Sequence, residues 1–260
     1  MSPLVLAPAT LAAFYIYVYL RVVIHVRRYH AQRLYLPFEP RSPESLPPDV
    51  RQKFTGTLPV LEALGFTVAG YVHHAGMPQN KAARIDLYAA LLRNDESGDM
   101  CMVAMIFSQF KQASGKLGYV NFYTELADGR SVATVNAAQV PAFKPDGRRP
   151  VFRFPEVGDP RLLYRAHRAL LGRRAPGQRG LLPTPGLELP FLCEAESRSL
   201  RHQVECGYHY LDGARGLCVP TWKGALLMTG KQMWGVKRLL LALMRRRARL
   251  TLSSLGLSHG

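Results

Sequence analysis

The sequence predicts an α+β protein: one antiparallel sheet with helices packed on one face, a transmembrane helix before it and a basic amphipathic helix after it. Three observations carry this. An uncharged apolar run opens the chain, the apolar period shifts to two after residue 66, and the last stretch holds many cations and no acid.

The opening run, "LVLAPATLAAFYIYVYL", covers residues 4–20 without a charged side chain. As a helix it would span roughly 26 Å, against about 30 Å of bilayer hydrocarbon. Arg21 can send its guanidinium along the helix to the headgroups, which extends the span toward Val26. A cleaved secretory signal would place cations before the run and a small-residue site after it, and the sequence has neither. A core helix would carry a polar stripe. The expectation is a retained single-pass anchor. Arg21, Arg27, Arg28 and Arg33 all follow the run, so the positive-inside rule places the N-terminus outside and the rest in the cytoplasm.

Residues 37–49 hold five prolines and read as a semi-rigid spacer. Asp49 is positioned to cap the next helix. There Val50, Phe54, Leu58, Leu61 and Leu64 recur at helical spacing, Pro59 should kink or divide the helix, and Gly65 should end it. From Phe66 the alternation is that of strands. Five strands form a meander, with a hairpin turning at Asp128-Gly129, where Tyr119, Asn121, Tyr123 and Glu125 alternate with Val120, Phe122, Thr124 and Leu126. Asp159 and Pro160 begin a helix whose buried stripe is Leu162, Leu163, Ala166 and Leu170. A Gly/Pro-rich linker follows, then a helix over roughly 191–206, then a hairpin around Asp212-Gly213. The organisation is an anchor with its basic flank (1–36), the spacer (37–49), an α+β domain (50–219) and the tail (220–260).

The formal charge of +16 is uneven: residues 1–38 hold four arginines and no acid, residues 213–260 hold nine cations and no acid, and the 174 residues between carry only +3. A nucleic-acid-binding domain would be basic throughout. Cationic ends around a balanced domain suit an anionic leaflet better.

The tail is a basic amphipathic helix capped by Thr221. Trp222, Leu226, Thr229, Met233, Val236, Leu240 and Leu243 share one face. Lys223, Lys231, Arg238, Arg245 and Arg249 lie opposite, with Lys237 nearby. Gly224, Gly230 and Gly235 weaken it as an isolated helix, so it needs a surface to form on: its own domain or a partner helix, an anionic bilayer, or nucleic acid. The expected membrane-interface residues are Arg21, Arg27, Arg28, Trp222, Lys223, Lys231, Trp234, Lys237, Arg238, Arg245, Arg246, Arg247 and Arg249.

Signals for chemistry are sparse. Phosphate-loop, dinucleotide, zinc-protease and nucleophile-elbow motifs are absent. Cys193, His202, Cys206 and His209 are spaced unlike any common zinc site, so no metal and no cofactor is expected. His73 and His74, at a strand end beside "AGMPQNK", and Tyr208–Tyr210 are the weak catalytic candidates. "ECGYHYLDGARGLCVPTWKGALL" resembles the end of a winged-helix domain, in which a helix leads into a wing hairpin and another helix. The resemblance covers 23 residues, and the helix pair that should precede it is not evident. The leading expectation is therefore a binding or scaffolding protein on the inner membrane of a bacterial cell, the source suggested by the bias toward Arg, Ala, Pro and Gly. Its partners would be the bilayer, its anionic headgroups and possible protein partners. The rivals are a membrane-bound enzyme acting on a lipid or lipid-linked substrate, and a membrane-tethered nucleic-acid binder.

Overall fold

The computed structural model describes residues 3–34, 37–76, 83–110 and 113–257. Helix α1 (Pro3–Tyr29) leads into two short strands, β1 (Gln32–Arg33) and β2 (Glu39–Arg41), and then into α2 (Pro48–Glu62). The meander is β3 (Thr67–Ala75), β4 (Ala83–Asn94), β5 (Asp99–Phe110), β6 (Ala113–Glu125) and β7 (Ser131–Val135). There follow β8 (Val151–Arg153), α3 (Pro160–Arg174), α4 (Glu188–Glu205), β9 (His209–Asp212), β10 (Leu217–Pro220), α5 (Trp222–Gln232) and α6 (Trp234–Ser254). The expected α+β class is what the chain adopts.

The five-strand meander forms the centre of a seven-stranded sheet in the order β2-β3-β4-β5-β6-β7-β8. Every neighbouring pair is antiparallel except β7 and β8, which are parallel. The predicted spacer does not stand apart from the domain. It supplies the edge strand β2, and Leu46 is buried in the core. An edge strand tolerates Pro40, because a residue whose N–H would face solvent loses no ladder bond.

Helices cover both faces of this sheet rather than one. On the first face Ala90, Leu92, Cys101, Val103, Val120 and Phe122 pack with Val50, Phe54 and Leu61 of α2, Leu163 and Ala166 of α3, and Ala248 and Leu252 of α6. On the second, Ala89, Leu91, Ala104, Met102 and Tyr119 meet Leu189 and Leu192 of α4. The alternation along β6 sorts as expected. Val120 and Phe122 join the first face and Tyr119 the second.

Local signals hold at most boundaries. Asp159 accepts the Arg161 N–H at 2.9 Å, with Pro160 as the first residue of α3. Gly65 has φ +84°, the Gly65 N–H donates to Glu62 O at 2.9 Å and the Phe66 N–H to Leu61 O at 3.1 Å, a Schellman end. At the start of α2 the outcome differs. Pro47 and Pro48 start the helix, and Asp49 lies in its first turn paired with Lys116 instead of capping it. The helix also runs through Pro59 without dividing.

The Gly/Pro linker after α3 is pinned. The Leu181 N–H donates to Glu125 O at 2.8 Å, and Gly180 lies against Gly98 so closely that a Cβ on either residue would strike the other's backbone. Gly98 also has φ +76°, so this crossing requires glycine twice over.

The tail is two helices. Thr221 caps α5 by accepting the Gly224 N–H at 3.0 Å, but Met233 turns extended (ψ 135°) and α6 starts afresh at Trp234. Gly230 and Gly235 flank the break, where helix propensity is lowest. A small antiparallel sheet, β1-β10-β9, joins the end of α1 to the hairpin before α5.

Candidate membrane-facing surface

Helix α1 is not a free anchor. Val23 is buried, and Ala31 packs with Leu217 and Val219. The Tyr19 hydroxyl donates to Leu226 O at 3.0 Å. Arg27 donates from Nε to Pro220 O and from Nη2 to the Tyr210 hydroxyl, both at 3.0 Å, and its guanidinium lies 4.7 Å from the Trp222 ring centroid. The N-terminal helix is thus bolted to α5 and the hairpin.

Above that contact the helix is bare. Phe14, Tyr15, Ile16, Tyr17, Val18 and Leu20 are all exposed, and at 100° per residue they point in every direction around the axis. Side chains at 4–9, 11 and 12, the first part of the expected span, lie outside the described residues. Among the described residues no helix is long and apolar enough to cross a membrane. The expected transmembrane helix is therefore not supported. Its described apolar part, residues 13–20, would be about 12 Å long before Arg21 interrupts it.

The tail continues the same surface. Trp222, Leu226 and Leu227 of α5 are exposed, as are Trp234 (73%), Val236, Leu239 (60%) and Leu243 of α6. Trp222, Leu226, Met233, Val236 and Leu243 of the expected apolar face are uncovered and Leu240 is half-buried; of the seven, only Thr229 is buried. What anchors α6 is its far end, through Ala248 and Leu252.

The expected interface cations divide in two. Lys231 is tied down, donating to Ala142 O at 3.0 Å and Phe143 O at 3.2 Å, and Arg27 is held as above. Arg245 and Arg249 each lie 3.8 Å from the Glu156 carboxylate. Arg21 sits over Tyr17 at 5.9 Å and Arg238 over Trp234 at 4.1 Å. Arg28, Lys223, Lys237, Arg246 and Arg247 are exposed.

The weak catalytic candidates do not converge. The His73 Nδ1 faces Arg41 Nη2 at 3.3 Å, and since a guanidinium only donates, Nδ1 accepts. Its Nε2–H then donates to Asp86 Oδ1 at 3.0 Å, and the ring stacks on Tyr88. With both nitrogens engaged, His73 is a latch between β2, β3 and β4. His74 donates to Pro37 O at 3.3 Å. Residues 77–81 of the adjoining loop lie outside the described residues. Tyr208 carries the Lys231 ammonium over its ring, and Tyr210 accepts from Arg27. His209 is buried with neither ring nitrogen hydrogen-bonded among the described residues, and burial pushes its pKa down to about 4. Among the described residues no group of three or more His, Cys, Asp or Glu is placed to hold a metal ion.

Sequence reasoning missed a buried polar network. Asp99 accepts from the Thr124 hydroxyl at 2.5 Å, from Tyr164 at 2.8 Å and from Arg168 at 3.0 Å. Thr124 in turn accepts from His167 Nε2–H at 2.8 Å, and Thr134 donates to His167 Nδ1 at 3.0 Å. Burial pushes His167 down to about 4, so it is neutral and acts as a spacer between sheet and α3. The only hint was a histidine on the apolar stripe of α3.

Helices α3 and α4 lie on opposite faces of the sheet, so the packed helix trio of a winged-helix domain does not precede the β9–β10 hairpin. Comparison of the chain with protein-family models, with curated proteins and with solved structures finds no match.

Proposed function

We propose that this protein works as a binding or scaffolding protein seated on an anionic membrane through α1, α5 and the first half of α6. One observation carries the reading. Apart from Val151, Leu181, Leu187, Tyr210 and Leu211, every exposed large apolar side chain among the described residues lies on α1, α5, α6 or Met233 between them. A contiguous uncovered surface of that kind marks an interaction site. Its charge selects the partner: residues 1–38 and 213–260 contain no acid, so α1, α5 and α6 themselves contribute only arginine and lysine as charged groups. An anionic leaflet is complementary to both the apolar floor and the cationic rim. In the full reading, the start of α1 enters the bilayer with the N-terminus outside, and the sheet domain lies on the cytoplasmic side of a bacterial inner membrane.

Trp222 and Trp234 are the chain's two tryptophans, and both are exposed on this surface. Tryptophan emission of the full chain should therefore shift to the blue on adding anionic vesicles and be quenched by lipids brominated in the acyl chain. Neutral vesicles should produce a smaller shift, and salt should reduce the anionic one. An emission spectrum indifferent to anionic vesicles ends the proposal, and tight salt-sensitive binding to duplex DNA without lipid preference replaces it with the nucleic-acid reading. Orientation is read separately: a phosphatase fused to the C-terminus should be inactive and a fluorescent protein fused there should glow.

A further inference from the structure

The second face of the sheet, under α4, carries charge and hydrogen-bonding capacity that the fold does not use. Along β6, Tyr119, Asn121, Tyr123 and Glu125 point to this face, opposite Phe122 and Val120. The register places Asn121 beside Val135 of β7, and Val135 beside Arg153 of β8. Asn121 and Arg153 therefore stand in one cross-strand row with only a valine between them. Tyr119 is two residues before Asn121 on β6.

Part of this layer is satisfied. The Tyr123 hydroxyl donates to Glu125 Oε2 at 2.7 Å, and Arg198 of α4 pairs with the same carboxylate. The rest is not. The Asn121 Oδ1 is buried and makes no hydrogen bond among the described residues. The Arg153 guanidinium has neither an ion pair nor a hydrogen bond among the described residues, and the Tyr119 hydroxyl makes no hydrogen bond among them. Arg153 is half-buried, and burial lowers its pKa from the ordinary arginine value. Tyr119 feels both Arg153 and, from α4, Glu196, so these groups share one neighbourhood. A cation partly drawn out of water without a paired anion is costly, and a bound anion would relieve that cost.

We infer that Tyr119, Asn121 and Arg153 form a binding site for a phosphate group, carried either by a soluble small molecule or by a lipid head. The donors decide the class. The guanidinium offers a planar fork, the phenol one O–H, and the Asn121 amide, turned about its last torsion, an N–H. Three donors approaching from separate strand positions suit the oxygens of a tetrahedral anion better than the two of a planar carboxylate. Met102, Leu189 and Leu192 beside the row supply an apolar wall for whatever the phosphate is attached to. The inference stands apart from the membrane reading, since neither α1, α5 nor α6 contributes to it.

The test uses the full chain, inorganic phosphate followed by isothermal titration, and vesicles with and without phosphatidic acid. Wild type should bind phosphate, and Arg153→Gln should weaken binding by at least about tenfold, the loss expected for a charged hydrogen bond. Tyr119→Phe should weaken it less. Arg165→Gln, an exposed site on α3, should leave it unchanged. The thermal midpoint of Arg153→Gln should be equal to or above that of wild type, because the variant removes a half-buried cation that has no ion pair among the described residues. A purely structural arginine would lower it. Should Arg153→Gln fail to fold, Arg153→Lys keeps the charge and loses the fork, and must still weaken binding. Free phosphate binding lost in the variants assigns a soluble ligand. Selective binding of phosphatidic acid, reduced in Arg153→Gln without free phosphate binding, assigns a lipid head. Binding of neither, or binding of either that Arg153→Gln leaves unaltered, overturns the inference.

Discussion

The sheet domain and the helical surface of α1, α5 and α6 treat the same two kinds of residue in opposite ways. In the domain, the cation Arg93 meets Glu188 at 2.7 Å and Asp95 at 2.6 Å, and large apolar side chains such as Phe66, Phe122 and Phe154 are fully enclosed. On the helical surface Trp234 and Leu239 stand in the open, and Arg238 leans on an indole ring instead of a carboxylate. The contrast teaches that the domain, with the far end of α6 in its core, encloses its apolar groups, whereas the helical surface leaves its own uncovered. Core apolar groups and paired ions should therefore govern stability, and the surface tryptophans and cations should govern association.

The largest expected effect lies in the core. Phe122→Ala removes a ring that packs against Phe66, Tyr164 and His167, and should cost about 3–5 kcal/mol in denaturant unfolding while leaving vesicle affinity of the folded fraction unchanged. Next comes pH. His167 and His209 both titrate near 4 in the folded state against 6.5 unfolded, so the unfolded chain binds more protons between those values. Stability should be constant above about pH 6.5 and fall as the pH drops toward 4. The loss is about 3 kcal/mol or less per histidine, and His167→Gln should flatten part of the slope. Trp234→Ala should reverse the pattern of Phe122→Ala, with vesicle binding weakened by about 1.5–3 kcal/mol and stability unmoved. If Trp234→Ala destabilises the fold, the two regions are not separable. The smallest effect belongs to the Asp49–Lys116 pair, which is exposed: Asp49→Asn should change stability by less than about 0.5 kcal/mol.

How much of this could be read beforehand depended on the range of the signal. Hairpins at Asp128-Gly129 and Asp212-Gly213, the cap at Asp159 and the stop at Gly65 are decided within a few residues, and all four were legible. Strand β2 was not, because two prolines nearby mask a three-residue edge whose pairing with Tyr71, Val72 and His73 is set by the sheet. The second helical layer was missed because Leu189 and Leu192 give α4 an apolar stripe that says nothing about which side of the sheet it covers. The break at Met233 was also hidden, since the apolar stripe runs through it without a change of phase. The row Asn121–Val135–Arg153 joins residues from three strands and exists only once register is known.

The bolts between α1 and the C-terminal part of the chain link residues 193 and 207 positions apart. At roughly 5–20 residues per second, synthesis brings the partner of α1 into being about 10–40 s after α1 itself emerges. Throughout that interval the helix has no Trp222 to receive Arg27 and no Leu226 carbonyl for Tyr19. The exposed apolar part of α1 is therefore made well before the residues that clasp its other end. Whatever meets α1 in that interval meets it before its partners within the chain exist, so the clasp between the two ends can close only as one of the last steps of folding.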